Sequence, residues 1–156
     1  MSHLISDNLV SPSESREASI HLYLCISMTK SDYIEYWMNT AQDSSDTMEY
    51  LHNGKRYMEA LFFGHLFIEK LCKALWVKNN VINQPPKIHN LVKLLHEANI
   101  EVDEEQLVFL DILTQYQLEG RYPDYLRRLY HQTTERKAGE FIDQIKTIAH
   151  WLKDQI

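Results

Sequence analysis

Apolar residues recur at helical spacing through most of the chain after residue 28. The strongest pattern runs from about Lys55 to Lys78, where one helical face carries an apolar seam: Tyr57, Leu61, Gly64, Ile68, Leu71 and Leu75. Further apolar side chains widen that seam, so that only a narrow strip with Glu69, Lys70 and Lys73 stays charged. A helix that is apolar nearly all round is buried, either at the centre of a bundle or at an oligomer interface.

The same spacing predicts the other helices that would pack around this central one. They cover about residues 32–52, 90–98, 103–118 and 134–153, and Ser31 is the predicted N-cap of the first. Gly120 and Pro123 bracket Arg121 and Tyr122, which we expect to lie outside regular helix because proline disfavours α geometry in the residue before it. No strand-like alternation is visible. The pattern predicts an all-α, up-and-down bundle of about four to five helices.

Residues 1–27 differ from the rest of the chain in composition and in the pattern of apolar residues. The run Ser-Pro-Ser-Glu-Ser at 11–15 is typical of loop or disorder, and the apolar patch that follows it has no sustained period. We therefore expect a flexible N-terminal extension over 1–27 and a helical domain over 28–156. The sequence leaves open a native translation start at Met28.

Composition narrows the class of protein. With 156 residues the chain has the length of one domain, and only 4 Gly and 4 Pro argue against an all-β fold. The net charge of −6 excludes a basic field over the whole protein. Cys25 and Cys72 form neither a disulfide framework nor a zinc set, which favours a reducing cytoplasm. No targeting or membrane segment is visible, and no cofactor is expected.

Three blocks of residues, in order, resemble the HEPN domain family, whose name refers to higher eukaryote and prokaryote nucleotide binding. The first block is the segment 54–75, the second is Pro-Lys-Ile-His-Asn-Leu at 86–91, and the third is Glu-Gly-Arg-Tyr-Pro-Asp at 119–124. The resemblance covers about residues 33–151. It implies an antiparallel bundle of four to five helices, usually dimeric and often encoded beside a minimal nucleotidyltransferase as a toxin–antitoxin pair.

Many HEPN proteins are ribonucleases whose motif is Arg followed by four to six residues and then His. Arg121, Arg127 and Arg128 have no His at those positions, and His131 follows Arg127 after only three residues. The pattern occurs once, from Arg16 to His21 with four residues between, and we interpret that match as chance because it precedes the bundle.

A basic cluster follows the Gly120 break and is the main candidate binding surface. It consists of Arg121, Tyr122, Arg127, Arg128 and His131. On a helix Arg127 and His131 would share a face and could grip a phosphate together, while nearby tyrosines would suit stacking on a base. The alternative interpretation is a solvated basic end of a helical turn.

A second candidate site lies on the central helix, where His65, Glu69 and Lys73 are spaced four apart. They form either a ligand or partner site, with Glu69 and Lys73 as binding residues, or a simple intrahelical pair with His65 beside it. We also expect Arg121 to fold back onto Glu69 as a structural clamp.

Three further residues have expected structural roles. His89 and Asn90 would start the third helix, with Asn90 as a cap, and Asp124 belongs to the Arg-Tyr-Pro-Asp block. His89 and His96 share a helical face, but they lack a third ligand at matching spacing, so we expect no metal.

Three functions remain open from the sequence. The first is a HEPN-type binding module, a homodimer that pairs with a nucleotidyltransferase or binds a nucleotide-like ligand. The second is a ribonuclease toxin, acting on RNA through Arg127 and His131 at altered spacing. The third is a purely structural helical adaptor.

Overall fold

Six helices make up the part of the protein described by this computed structural model, which covers residues 28–122 and 127–156. The helices are α1 (Lys30–Asn53), α2 (Tyr57–Asn79), α3 (Leu91–Glu97), α4 (Glu104–Arg121), α5 (Arg128–Gln132) and α6 (Glu135–Lys153). No strand occurs within these residues. The all-α fold predicted from the spacing is confirmed, and the short α5 is the one helix that the spacing did not predict.

Short polar side chains set where the helices begin. Asn90, Asp103 and Thr134 each accept a hydrogen bond from a backbone N–H of the first turn that follows. The predicted cap of α1, Ser31, is wrong. Thr29 is the N-cap, because its hydroxyl accepts from the Asp32 N–H at 3.2 Å while the Asp32 carboxylate accepts from the Thr29 N–H at 2.6 Å.

Helix α2 is the centre of the bundle, as its apolar seam predicted. It packs against α1, α3, α4 and α6. Gly64 lets the three longest helices approach closely, since a Cβ added there would lie 2.6 Å from Ile145 Cδ1 and 3.1 Å from Met48 Sδ. Both neighbours are fully buried. Cys72 is also buried in this helix, and burial raises the pKa of its thiol.

The end of α4 differs from the prediction. Arg121 was expected outside regular helix, but it is the last residue of α4, and only Tyr122 leaves helical geometry at φ −134° and ψ 68°. Pro123 restricts only the residue immediately before it, so the helix can continue to Arg121, three residues beyond the predicted end near residue 118. Gly120 lies inside α4 and allows close approach to α2, since an added Cβ would lie 2.6 Å from Phe62 Cδ2.

Several predictions fall on residues that are not described. The N-terminal extension, the Arg16–His21 match, Cys25 and the structural role of Asp124 all lie outside residues 28–122 and 127–156. No helix within the described ranges has the length and hydropathy needed to cross a membrane.

Candidate functional site

The structure divides the predicted site residues between two places. Glu69 and Lys73 lie in the buried interior, whereas Arg127 lies against Glu59 near the start of α2. Glu69 is ten positions further along that helix, about 15 Å along its axis at 1.5 Å per residue. Arg127 and Glu69 therefore lie in separate places, although the charge of Arg121 still reaches His65.

The first place is a buried polar cluster, formed by His65, Glu69 and Lys73 on α2 and His89 before α3. Lys73 Nζ donates to Glu69 Oε1 at 2.6 Å, and His89 Nδ1 lies 3.0 Å from Glu69 Oε2. Glu69 is only 4% exposed. Burial raises the pKa of Glu69, but hydrogen bonds from Lys73 and His89 outweigh burial and hold that pKa below its ordinary value.

His65 is fully buried within the polar cluster. Its Nε2 lies 2.9 Å from the His89 carbonyl oxygen, and because a carbonyl only accepts, we assign the ring proton to Nε2. Nδ1 has no hydrogen-bond partner in the structure and lies 3.8 Å from Glu69 Oε2. Burial lowers the pKa of His65 to about 4, so the ring is neutral at pH 7.

Lysine side chains connect the same region of α2 to α1. The Lys73 ammonium lies 5.1 Å from the centroid of the Trp37 ring, a cation–π contact. Lys70 Nζ donates to the Thr40 carbonyl at 2.9 Å and to Ser44 Oγ at 2.7 Å. The charged strip of α2 therefore faces α1 and the α2–α3 connection instead of solvent.

The predicted clamp between Arg121 and Glu69 is wrong. Both residues are described, and no hydrogen bond or ion pair joins them, because His89 and Lys73 occupy the Glu69 carboxylate. Arg121 is exposed, and its charge contributes only a smaller part of the lowering of the His65 pKa, after burial. His89 thus performs the structural role assigned to Arg121, since it ties the α2–α3 connection to the central helix.

The second place is the basic cluster, and all five of its residues are exposed. Arg127 precedes α5 in the left-handed region at φ 47°, and its guanidinium lies 3.9 Å from the centroid of the Tyr130 ring. His131 is linked to Arg127 by a backbone hydrogen bond of 3.0 Å. Arg127 precedes α5 instead of forming part of it, and the Tyr130 ring on which it stacks lies 5.6 Å from the His131 ring.

A small cavity beside the basic cluster shows how the residues around α5 contact the rest of the bundle. Arg127 and Tyr130 line this cavity with Met58, Glu59 and Gly120. The pKa of Glu59 lies below its ordinary value, mainly because Arg56 hydrogen-bonds to it and to a smaller extent because of the Arg127 charge. The residues around α5 are therefore held against the start of α2 by packing and charge, while Tyr122 remains 74% exposed.

Comparison with known proteins agrees with this architecture. The family model described as the HEPN domain matches residues 34–155. The chain belongs to the HEPN domain family. The crystal structure of an archaeal HEPN homologue is similar to this HEPN domain with a TM-score of 0.63 and 27% sequence identity, over 78% of this chain and 96% of that chain. No curated protein matches it.

The matched range of the HEPN domain contains both candidate sites. Within residues 28–156 no Arg is followed by His after four to six residues, so this HEPN domain lacks the spacing of the ribonuclease motif. Sequence reasoning found the polar residues of α2 from their spacing of four. It missed Trp37 as a partner of Lys73, and the only sequence signal was the position of Trp37 on the apolar face of α1.

Proposed function

We propose that this HEPN domain is a binding module that recognises a nucleotide-like ligand through its basic cluster and pairs with a minimal nucleotidyltransferase. The observation that carries the proposal is the basic cluster itself. Arg121, Tyr122, Arg127, Arg128 and His131 are exposed together near one end of the bundle, in a chain whose net charge is −6.

The chemistry of the cluster suits a phosphate-bearing ligand. A guanidinium presents paired N–H donors that match phosphate oxygens, and an exposed tyrosine ring offers a face on which a base can stack. Arg127 is held over Tyr130, so one cationic group is already positioned beside an aromatic ring. A partner enzyme that handles nucleotides would meet this surface without rearrangement of the bundle.

The proposed module is a homodimer. Apolar side chains on α4 support this part of the proposal, since Val108 is 52% exposed, Leu107 43% and Ile112 38%. An exposed apolar patch of this kind is typical of a protein–protein interface. Light scattering coupled to gel filtration should give twice the chain mass. A monomer at micromolar concentration would contradict the dimer.

Ligand binding is tested by titrating ATP into the full-length protein. Binding is measured as the heat released in calorimetry or as the bound fraction of ATP in equilibrium dialysis. We expect saturable binding that weakens as salt is raised, because charged groups contribute to it. Protein that binds no ATP at low salt and forms no complex with a co-expressed nucleotidyltransferase from its own genome would overturn the proposal.

The ribonuclease alternative has its own test. Incubation with single-stranded RNA should leave the RNA intact, because no Arg within residues 28–156 is followed by His at the spacing of the ribonuclease motif. Cleavage that disappears in His131→Ala protein would instead establish an enzyme.

A further inference from the structure

A cavity of about 420 Å³ lies between the start of α1 and the α2–α3 connection, and no residue of the basic cluster is among the described residues that line it. Three aromatic rings of α1 line it: Tyr33, Tyr36 and Trp37. These positions are three and four apart, so they share one face of the helix. The opposite wall is the segment Asn83–Lys87 with its two prolines. The volume falls within the range of about 300–1,000 Å³ typical of small-molecule sites.

Lys73 and Lys87 are the charged side chains among the described residues that line this Trp37 cavity. The Lys73 charge is already paired with Glu69, so the positive charge of the exposed Lys87 is what disfavours a cationic ligand between the three aromatic rings. Lys73 has three N–H donors and gives one to Glu69, which leaves donors for a ligand. The cavity therefore favours an anionic group on its ligand.

We propose that the Trp37 cavity is a second binding site, which takes a flat aromatic molecule carrying one anionic group. The ring stacks on Trp37 and its neighbouring tyrosines, and the anion bonds to the free donors of Lys73 and to Lys87. This site is separate from the basic cluster and does not depend on the function proposed for it.

Two probes distinguish the source of the anion. Indole-3-acetate carries a carboxylate and AMP carries a phosphate, and each has a flat ring system. The full-length protein labelled with ¹⁵N is titrated with each probe, and the indole N–H signals of its 3 tryptophans are followed by NMR. The Trp37→Phe variant assigns the Trp37 signal.

We expect the Trp37 signal to shift saturably with at least one probe. The signal of Trp151, which lines a different cavity, should stay in place. A response to one probe alone supports the site and identifies its anion. No Trp37 shift with either probe at millimolar concentration, or an equal shift of Trp151, overturns the proposal.

Charge variants test the assignment of the anion pocket. Lys87→Gln should weaken binding about threefold, which is the size expected of one exposed ion pair. Lys146→Gln removes the same charge from α6 and should leave binding unchanged. Arg127→Gln should also leave the Trp37 shift unchanged, which separates this site from the basic cluster. Equal effects of the Lys87 and Lys146 substitutions would contradict the proposed pocket.

Discussion

The buried Glu69–Lys73 pair predicts a large and specific loss of stability when its carboxylate is removed. Replacing Glu69 by Leu leaves the Lys73 ammonium, whose side chain is only 11% exposed, without its carboxylate. Breaking a buried ion pair by removing one partner costs about 3–5 kcal/mol. Because Lys73 keeps its contact with Trp37 and some access to water, we expect a value near the lower end, about 3 kcal/mol.

The chain contains a matched control for this substitution. Arg136 and Glu140 are also four apart on a helix, but their side chains are 86% and 60% exposed. An exposed pair of this kind contributes about 0–1 kcal/mol, so Glu140→Leu should change the free energy of unfolding only slightly. The acidic residue and the spacing are the same in both pairs, and the large difference in exposure is what should dominate the comparison.

A double substitution separates the cost of the unpaired charge from the cost of altered packing. In the double variant Glu69→Leu with Lys73→Met no charge is left unpaired in the interior, and apolar replacements of buried pairs are often close to neutral. We expect the double variant to recover most of the stability lost in Glu69→Leu. The assay is urea unfolding followed by far-UV circular dichroism, with the free energy taken at zero denaturant. The reasoning is refuted if Glu69→Leu costs no more than Glu140→Leu.

Three further predictions follow from single residues. Burial lowers the pKa of His65 from 6.5 to about 4, so between these pH values the unfolded protein binds a proton at His65 that the folded protein does not. The free energy of unfolding should therefore fall by about 3 kcal/mol between pH 6.5 and pH 4. Gly64→Ala should lower the melting temperature, because the added Cβ would overlap buried Ile145. Gly139→Ala should raise the melting temperature, because it removes the entropic cost of a glycine inside a helix and its Cβ would meet no neighbour within 4 Å. Asn90→Ala should cost about 1 kcal/mol in urea unfolding, because the α3 cap is lost.

Each of these has a result that would contradict it. A His65→Gln variant should lose clearly less stability between pH 6.5 and pH 4 than the unchanged protein, and an identical loss would assign the acid effect to other groups. Gly64→Ala as stable as Gly139→Ala would show that the core at α2 has room for a methyl group. Asn90→Asp should retain most of the cap, so equal losses for Asn90→Ala and Asn90→Asp would show that the side-chain oxygen is not the cause.

The sequence predicted the local parts of the fold well, because helices and their caps depend on residues close together in the chain. The seam of α2 and the cap Asn90 are of this kind. Ser31 was the wrong cap because several short polar residues precede α1. The spacing of Thr29 and Asp32 fits a capping box, and the structure shows both reciprocal bonds.

The candidate site was predicted less well, because its partners are distant in sequence. The spacing of Glu69 and Lys73 indicated their pairing, but no spacing rule links Glu69 to His89, which is 20 positions away. The expected Arg121 clamp was wrong for the same reason. Gly120 packs closely on Phe62 and the neighbouring Arg121 is exposed, and helical periodicity contains no information about that contact.

The central claim is that the basic cluster binds a nucleotide-like ligand, and it is tested most directly by comparing ATP binding in two charge variants. Arg127→Gln removes the cation stacked on Tyr130, and Arg136→Gln removes an equal charge from an exposed position on α6. Isothermal titration at low salt should show that Arg127→Gln weakens ATP binding about tenfold, the effect of about 1.4 kcal/mol, while Arg136→Gln leaves it unchanged. Equal affinity in both variants would contradict the account.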